Sequence, residues 1–133
     1  MSLITWEDKY SVKVPRLDKQ HQQLFSLINQ LHDAMRMGQA NEVMSRILGE
    51  LIAYTKSHFA AEEQMLQSSS YPDLKAHQAQ HREFTDKMLS FQKELGAGKM
   101  TLSIDVMRYL RDWLSNHIMK TDKLYSEFLG PKP

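Results

Sequence analysis

The chain has 133 residues, with 17 Lys plus Arg against 16 Asp plus Glu, six His, no Cys, five Gly and four Pro. That length is enough for one domain to bury a sizeable core, and the missing Cys excludes disulfides, thiolate metal sites and thiol catalysis. A net charge of +1 with interspersed signs offers no basic stripe for nucleic acid or an anionic membrane.

The opening MSLITWEDKY lacks the basic and apolar regions of a secretory signal, and no apolar run is long enough to span a bilayer. A cytoplasmic protein without membrane insertion is therefore expected, and its mixed-charge surface favours a monomer. Residues 1–17, with Trp6, Tyr10, Val12, Val14 and Pro15, read as an extended arm laid over the rest of the domain.

Turn signals at 38–41, 68–72 and 96–99 divide residues 18–133 into four long segments. In the first, Asp18 is a candidate N-cap, and Leu17, His21, Leu24, Ile28, Leu31 and Met35 recur at alternating spacings of four and three. The second, 41–67, keeps Met44, Ile47, Leu48, Leu51, Thr55, His58, Glu62 and Met65 on one helical face. The third, about 72–95, runs Leu74, His77, His81, Phe84, Met88, Phe91 and Leu95 at strict 3-4 spacing, with Pro72 suited to a first turn. The fourth, about 101–129, carries Val106, Leu110, Trp113, Leu114, His117, Leu124 and Phe128 and stops at Gly130-Pro131. Four long helices joined by short loops predict an all-α, up-down-up-down antiparallel four-helix bundle.

Polar residues on such seams are costly unless they are paired or coordinated. At about 1.5 Å per residue, His21, His58, Glu62, His77, His81, His117 and Asp122 all fall between roughly 5 and 18 Å from the bundle end where the first helix starts. His32 falls roughly 21 Å from that end, with no other candidate ligand at its level, and reads as a flank or cap residue. A lone seam histidine is usually a hydrogen-bonded core residue, but five at one level with two carboxylates are not explained that way.

His117 and Asp122 lie five residues apart, which an ideal helix rotates about 140° from each other. A π-bulge or local unwinding between them is predicted. Imidazole and carboxylate without sulfur suit Fe, Mn, Cu, Ni or Zn, and seven ligands exceed what one ion uses, so a two-metal site is expected.

The segments DKQHQQLF, HFAAEEQML, YPDLKAHQAQHREF and WLSNHIMKTDKLY resemble the four ligand-bearing segments of the hemerythrin family in its single-domain bacterial form. The resemblance covers essentially the whole chain, and the composite of H, HxxxE, HxxxH and HxxxxD is far more specific than any one part. It implies two non-haem Fe ions (Fe2+/Fe3+): one held by His77, His81 and His117, the other by His21 and His58, with Glu62, Asp122 and an oxo or hydroxo group bridging. It further implies that dioxygen binds on the His21/His58 iron and that the protein stores, carries or delivers oxygen without catalysis, an oxygen-consuming enzyme being one recipient.

Leu24, Phe59, Trp113, Leu114 and Ile118 are then candidate walls of an oxygen pocket, and Tyr54 and Tyr125 candidate hydrogen-bond donors around the ligands. Glu63, rotated about 100° from Glu62, is expected to face solvent. An oxygen or redox sensor acting through a separate partner is a second reading. A di-iron enzyme of the oxidase or peroxidase type is a third: the oxidases use Glu-x-x-His, absent here, and the related iron-centre repair proteins carry Cys, also absent.

Overall fold

The computed structural model describes residues 3–39, 41–98 and 104–129, and side chains as far as 126. Gly130-Pro131, the Phe128 side chain and residues 99–103, which carry the end of one expected turn and the start of the fourth segment, lie outside the described residues.

A 3-10 turn, Asp8–Tyr10, precedes α1 (Pro15–Arg36), α2 (Asn41–Ser68) and α3 (Leu74–Gly96). A fourth rod comes next, made of α4 (Ile104–Asn116), a π-helical turn (His117–Asp122) and α5 (Lys123–Leu129). No strand occurs among the described residues. Neighbours along the chain are neighbours in space: α1 packs on α2 and α4, and α2 on α3. The expected four-helix bundle is what forms.

Leu24, Ile28, Leu31, Leu48, Leu51, Phe84, Met88 and Leu110 are all buried to within 1% of full coverage, and their 3-4 spacings build the core. Gly38 leaves α1 in the left-handed conformation at φ 68°, where a Cβ is strained.

Several expectations are corrected at the helix ends. Asp18 does not cap α1, which starts three residues earlier with Pro15 in its first turn. Its carboxylate instead pins the arm, accepting from the Ser11 hydroxyl at 2.6 Å and the Val12 amide at 2.8 Å. Pro72 lies in the turn before α3 rather than in its first helical turn.

The arm is anchored at two further points. Asn29 exchanges hydrogen bonds with the backbone of Ile4, and Ser126 donates to the Val12 carbonyl at 2.7 Å. Tyr10 packs edge-on against Phe25 at 5.0 Å and, like Val12 and Val14, is buried. Asp18→Ala is therefore expected to cost about 1–3 kcal/mol, the penalty for stranding two partly buried donors. Urea unfolding of the two proteins checks this.

Two seam assignments also change. His32 is buried at 8% exposure, not a flank residue, with its Nδ1 unpartnered. Leu124 is 58% exposed, and Tyr125 is the fully buried residue beside it.

Candidate metal centre

Five imidazoles and two carboxylates meet in the bundle interior, none more than 4% exposed: His21 from α1, His58 and Glu62 from α2, His77 and His81 from α3, and His117 and Asp122 from the ends of the π-helical turn. The seven residues that the sequence singles out are all brought together. His32 is not among the groups of residues close enough to share an ion.

The π-helical turn puts Asp122 there. Its i→i+5 hydrogen bonding stacks residues five apart, so His117 and Asp122 share a face. His117 Nε2 and Asp122 Oδ1 lie 3.1 Å from each other.

Each carboxylate divides its oxygens between two sets of histidines. Glu62 Oε1 is 2.6 Å from His77 Nε2 and 3.0 Å from His81 Nε2, while Oε2 is 3.3 Å from His58 Nε2 and 3.6 Å from His21 Nε2. Asp122 Oδ1 is 3.1 Å from both His77 and His117, and Oδ2 is 3.3 Å from His21. Donor atoms of Glu62, His77, His81, His117 and Asp122 lie within 4.8 Å of one another, as do those of His21, His58 and Glu62. Two ligand groups thus share a carboxylate.

Electrostatics without a metal balance the two negative groups. Burial opposes charge on His21 and His77, but hydrogen-bonding geometry to Asp122 and Glu62 outweighs it and raises each pKa from 6.5 to about 9. Burial dominates at His58, whose pKa falls. Burial disfavours ionisation of Glu62 and Asp122, and each also repels the other's charge. The histidines facing them prevail and hold both carboxyls below their usual range.

The donor set fits a pair of metal ions. On the cluster-facing side, His21 Nε2 and Asp122 Oδ1 are buried and face oppositely charged or polar partners at 3.1–3.6 Å without a well-formed hydrogen bond, positions that a coordinated ion would satisfy. Imidazole with shared carboxylates suits first-row transition metals, iron included.

Around the ligands, Tyr125 donates to Glu62 Oε2 at 2.9 Å and is fully buried. Burial, then the nearby carboxylates, push its pKa well above 10, which keeps the hydroxyl a donor. Tyr54 is half-buried and, among the described residues, makes no hydrogen bond to the cluster, so the expected donor role is not seen.

Phe59 stacks on His81 at a ring separation of 3.6 Å and 1°, and half-buried Trp113 stacks on His117 at 4.6 Å and 12°. Phe59 also lies 5.8 Å from the His58 ring, so it touches both histidine groups, while Trp113 covers the three-histidine group. Leu24, Leu114 and Ile118 are buried.

Sequence reasoning missed three outer partners. Gln20 Oε1 is 2.6 Å from His58 Nδ1, Glu63 Oε2 is 2.7 Å from His81 Nδ1, and Gln80 Oε1 is 2.9 Å from His117 Nδ1. Glu63, expected in solvent, is only 26% exposed. In every case the partner sits on the preceding helix, one residue from a member of the cluster. That adjacency was the available signal.

Known proteins resemble this chain in sequence and fold. The family model described as hemerythrin HHE cation binding domain matches residues 12–129. A bacteriohemerythrin of Methylococcus capsulatus is 38% identical over 131 residues, 98% of this chain and 99% of that one. A myohemerythrin of Theromyzon tessulatum is 30% identical over 120 residues, covering 90% and 88% of the two chains. A crystal structure of wild-type hemerythrin superposes with a TM-score of 0.90 at 36% identity, over 95% of this chain and 97% of that one. With the match running from the arm through the π-helical turn to α5, the chain belongs to the hemerythrin family.

Proposed function

We propose that this chain binds dioxygen reversibly at two non-haem iron ions, and that it stores, carries or delivers oxygen rather than catalysing a reaction. One observation carries the proposal: Glu62 and Asp122 each turn one oxygen toward His77 and a second toward His21, an arrangement that suits two ions sharing these carboxylates better than one ion surrounded by all seven residues.

In this reading His77, His81 and His117 would hold one iron and His21 and His58 the other, with Glu62 and Asp122 available to both. Two ferrous ions together supply the two electrons that dioxygen capture requires. The protein's part is to hold and to exclude. Tyr125 fixes Glu62 with a hydrogen bond and stays protonated. Leu24, Leu114 and Ile118 keep bulk water from the cluster, and Phe59 and Trp113 seal the rings of His81 and His117.

The burial of all seven ligands leaves little room at the cluster for a bulky organic substrate, which supports a carrier of a small ligand. No helix among the described residues is long and apolar enough to cross a membrane, which fits a cytoplasmic carrier.

The test is optical: iron-loaded protein is reduced, exposed to air and then to vacuum. A charge-transfer band that appears with oxygen and disappears without it supports the carrier. Irreversible oxidation, or turnover of an added substrate, overturns it.

Two substitutions separate ligand from bystander. His58→Ala is expected to abolish the oxygen-dependent band and lower the iron content below two per chain, while His32→Ala leaves both unchanged. Loss of iron in His32→Ala would contradict the ligand set.

A further inference from the structure

Of the three outer partners, two are neutral amides, Gln20 on His58 and Gln80 on His117. The third is a carboxylate, Glu63 on His81. An amide oxygen orients a ring without adding charge. A carboxylate accepting from Nδ1–H also draws that proton toward itself and makes the opposite nitrogen a more electron-rich donor to a metal. The cluster is thus lopsided.

We propose that Glu63 is a positioning residue that fixes His81 with Nε2 toward the cluster and biases the His77/His81/His117 iron toward the ferric state. The inference rests on the di-iron reading above.

Three features support it. His81 Nε2 lies 3.0 Å from Glu62 Oε1 and 3.1 Å from His117 Nε2, so a charge placed on its far side acts directly on the shared carboxylate and on a neighbouring histidine of the same group. The face of the ring is closed by Phe59, which leaves the in-plane Nδ1 bond as the handle that sets its rotation. The carboxylate itself lines a groove of about 320 Å³ between α2 and α3, shared with Lys56 and Arg82, so its charge stays partly solvated while its hydrogen bond points inward. A fully buried carboxylate would face a far larger desolvation cost.

Glu63→Gln preserves a hydrogen-bond acceptor of the same shape and removes only the charge; Glu63→Ala removes both. In iron-loaded protein, Glu63→Gln is expected to shift the ferric–ferrous equilibrium about tenfold toward ferrous, equivalent to about 59 mV for one electron. In metal-free protein, nitrogen NMR is expected to show His81 protonated at Nδ1 in the wild type and in Glu63→Gln. In Glu63→Ala the proton moves to Nε2, toward Glu62. A potential in Glu63→Gln equal to that of the wild type overturns the charge role, and an unchanged His81 tautomer in Glu63→Ala overturns the positioning role. Should the wild-type chain fail to take up two irons, the di-iron reading falls instead, and the metal-free NMR still decides whether Glu63 sets His81.

Discussion

Glu62→Ala is expected to empty the centre: iron bound per chain drops from two to a residue of weak, non-stoichiometric metal, and no oxygen-dependent band develops. Glu62 is fully buried and belongs to both ligand groups, so in the proposed di-iron centre its removal would take one ligand from each ion at once. Loss of an outer partner alone commonly costs 10–100-fold in metal affinity, and a shared inner ligand exceeds that. The metal-free protein suffers as well, because His77, His81, His58 and the Tyr125 hydroxyl lose the acceptor they face at 2.6–3.3 Å. Breaking one partner out of a buried charged set costs about 3–5 kcal/mol. Metal analysis, anaerobic titration and urea unfolding test the two halves separately. A Glu62→Ala protein that still binds two irons and oxygen would show that Asp122 alone suffices as the shared carboxylate.

The bundle was legible because its physics repeats: apolar residues at 3-4 spacing give a helical stripe wherever they occur. The site was legible for a different reason, the coincidence of polar seam residues at one axial level. The π-helical turn was legible from a misfit, the five-residue step between His117 and Asp122. Its effect on the residues beyond it was not. An extra residue in the helix advances the phase of everything after it, so counting seven from His117 lands on exposed Leu124, and the core position has moved to Tyr125.

The outer partners escaped for a geometric reason. Gln20, Glu63 and Gln80 flank their helix's buried face, and a single helix gives no sign that such residues bond anything. Only the arrangement of neighbours, α1 to α2, α2 to α3 and α3 to the fourth rod, turns each toward a histidine of the next helix. Asp18 misleads in a similar way: a carboxylate near a helix start suggests a cap, and only the folded arm shows Ser11 and Val12 as its partners.

The metal-free protein is expected to lose stability as pH rises from about 6.5 through about 9, and the iron-loaded protein is not. His21 and His77 carry pKa values of about 9 when folded, against 6.5 for an ordinary imidazole, so the folded state binds protons that the unfolded chain has released. A group whose folded pKa is raised contributes fully below its unfolded pKa and loses that contribution as pH climbs through the folded one. Two shifts of this size are worth on the order of several kcal/mol in total. His58, with its pKa lowered, acts in the opposite sense but only below about 6.5, outside the window. Glu62 and Asp122, held below the usual carboxylate range, act at lower pH still: they stabilise above their unfolded pKa values and lose this as the medium turns acid. Metal removes the alkaline window because coordination requires neutral imidazole, whatever the pH. Loading at pH 7 must therefore displace the protons of His21 and His77, about two per chain, which a weakly buffered titration with ferrous or zinc ion reads directly. Urea midpoints that stay flat between pH 6.5 and 9 in the metal-free protein, or uptake without proton release, would mean that both rings are already neutral and that Glu62 and Asp122 are charged without histidinium partners.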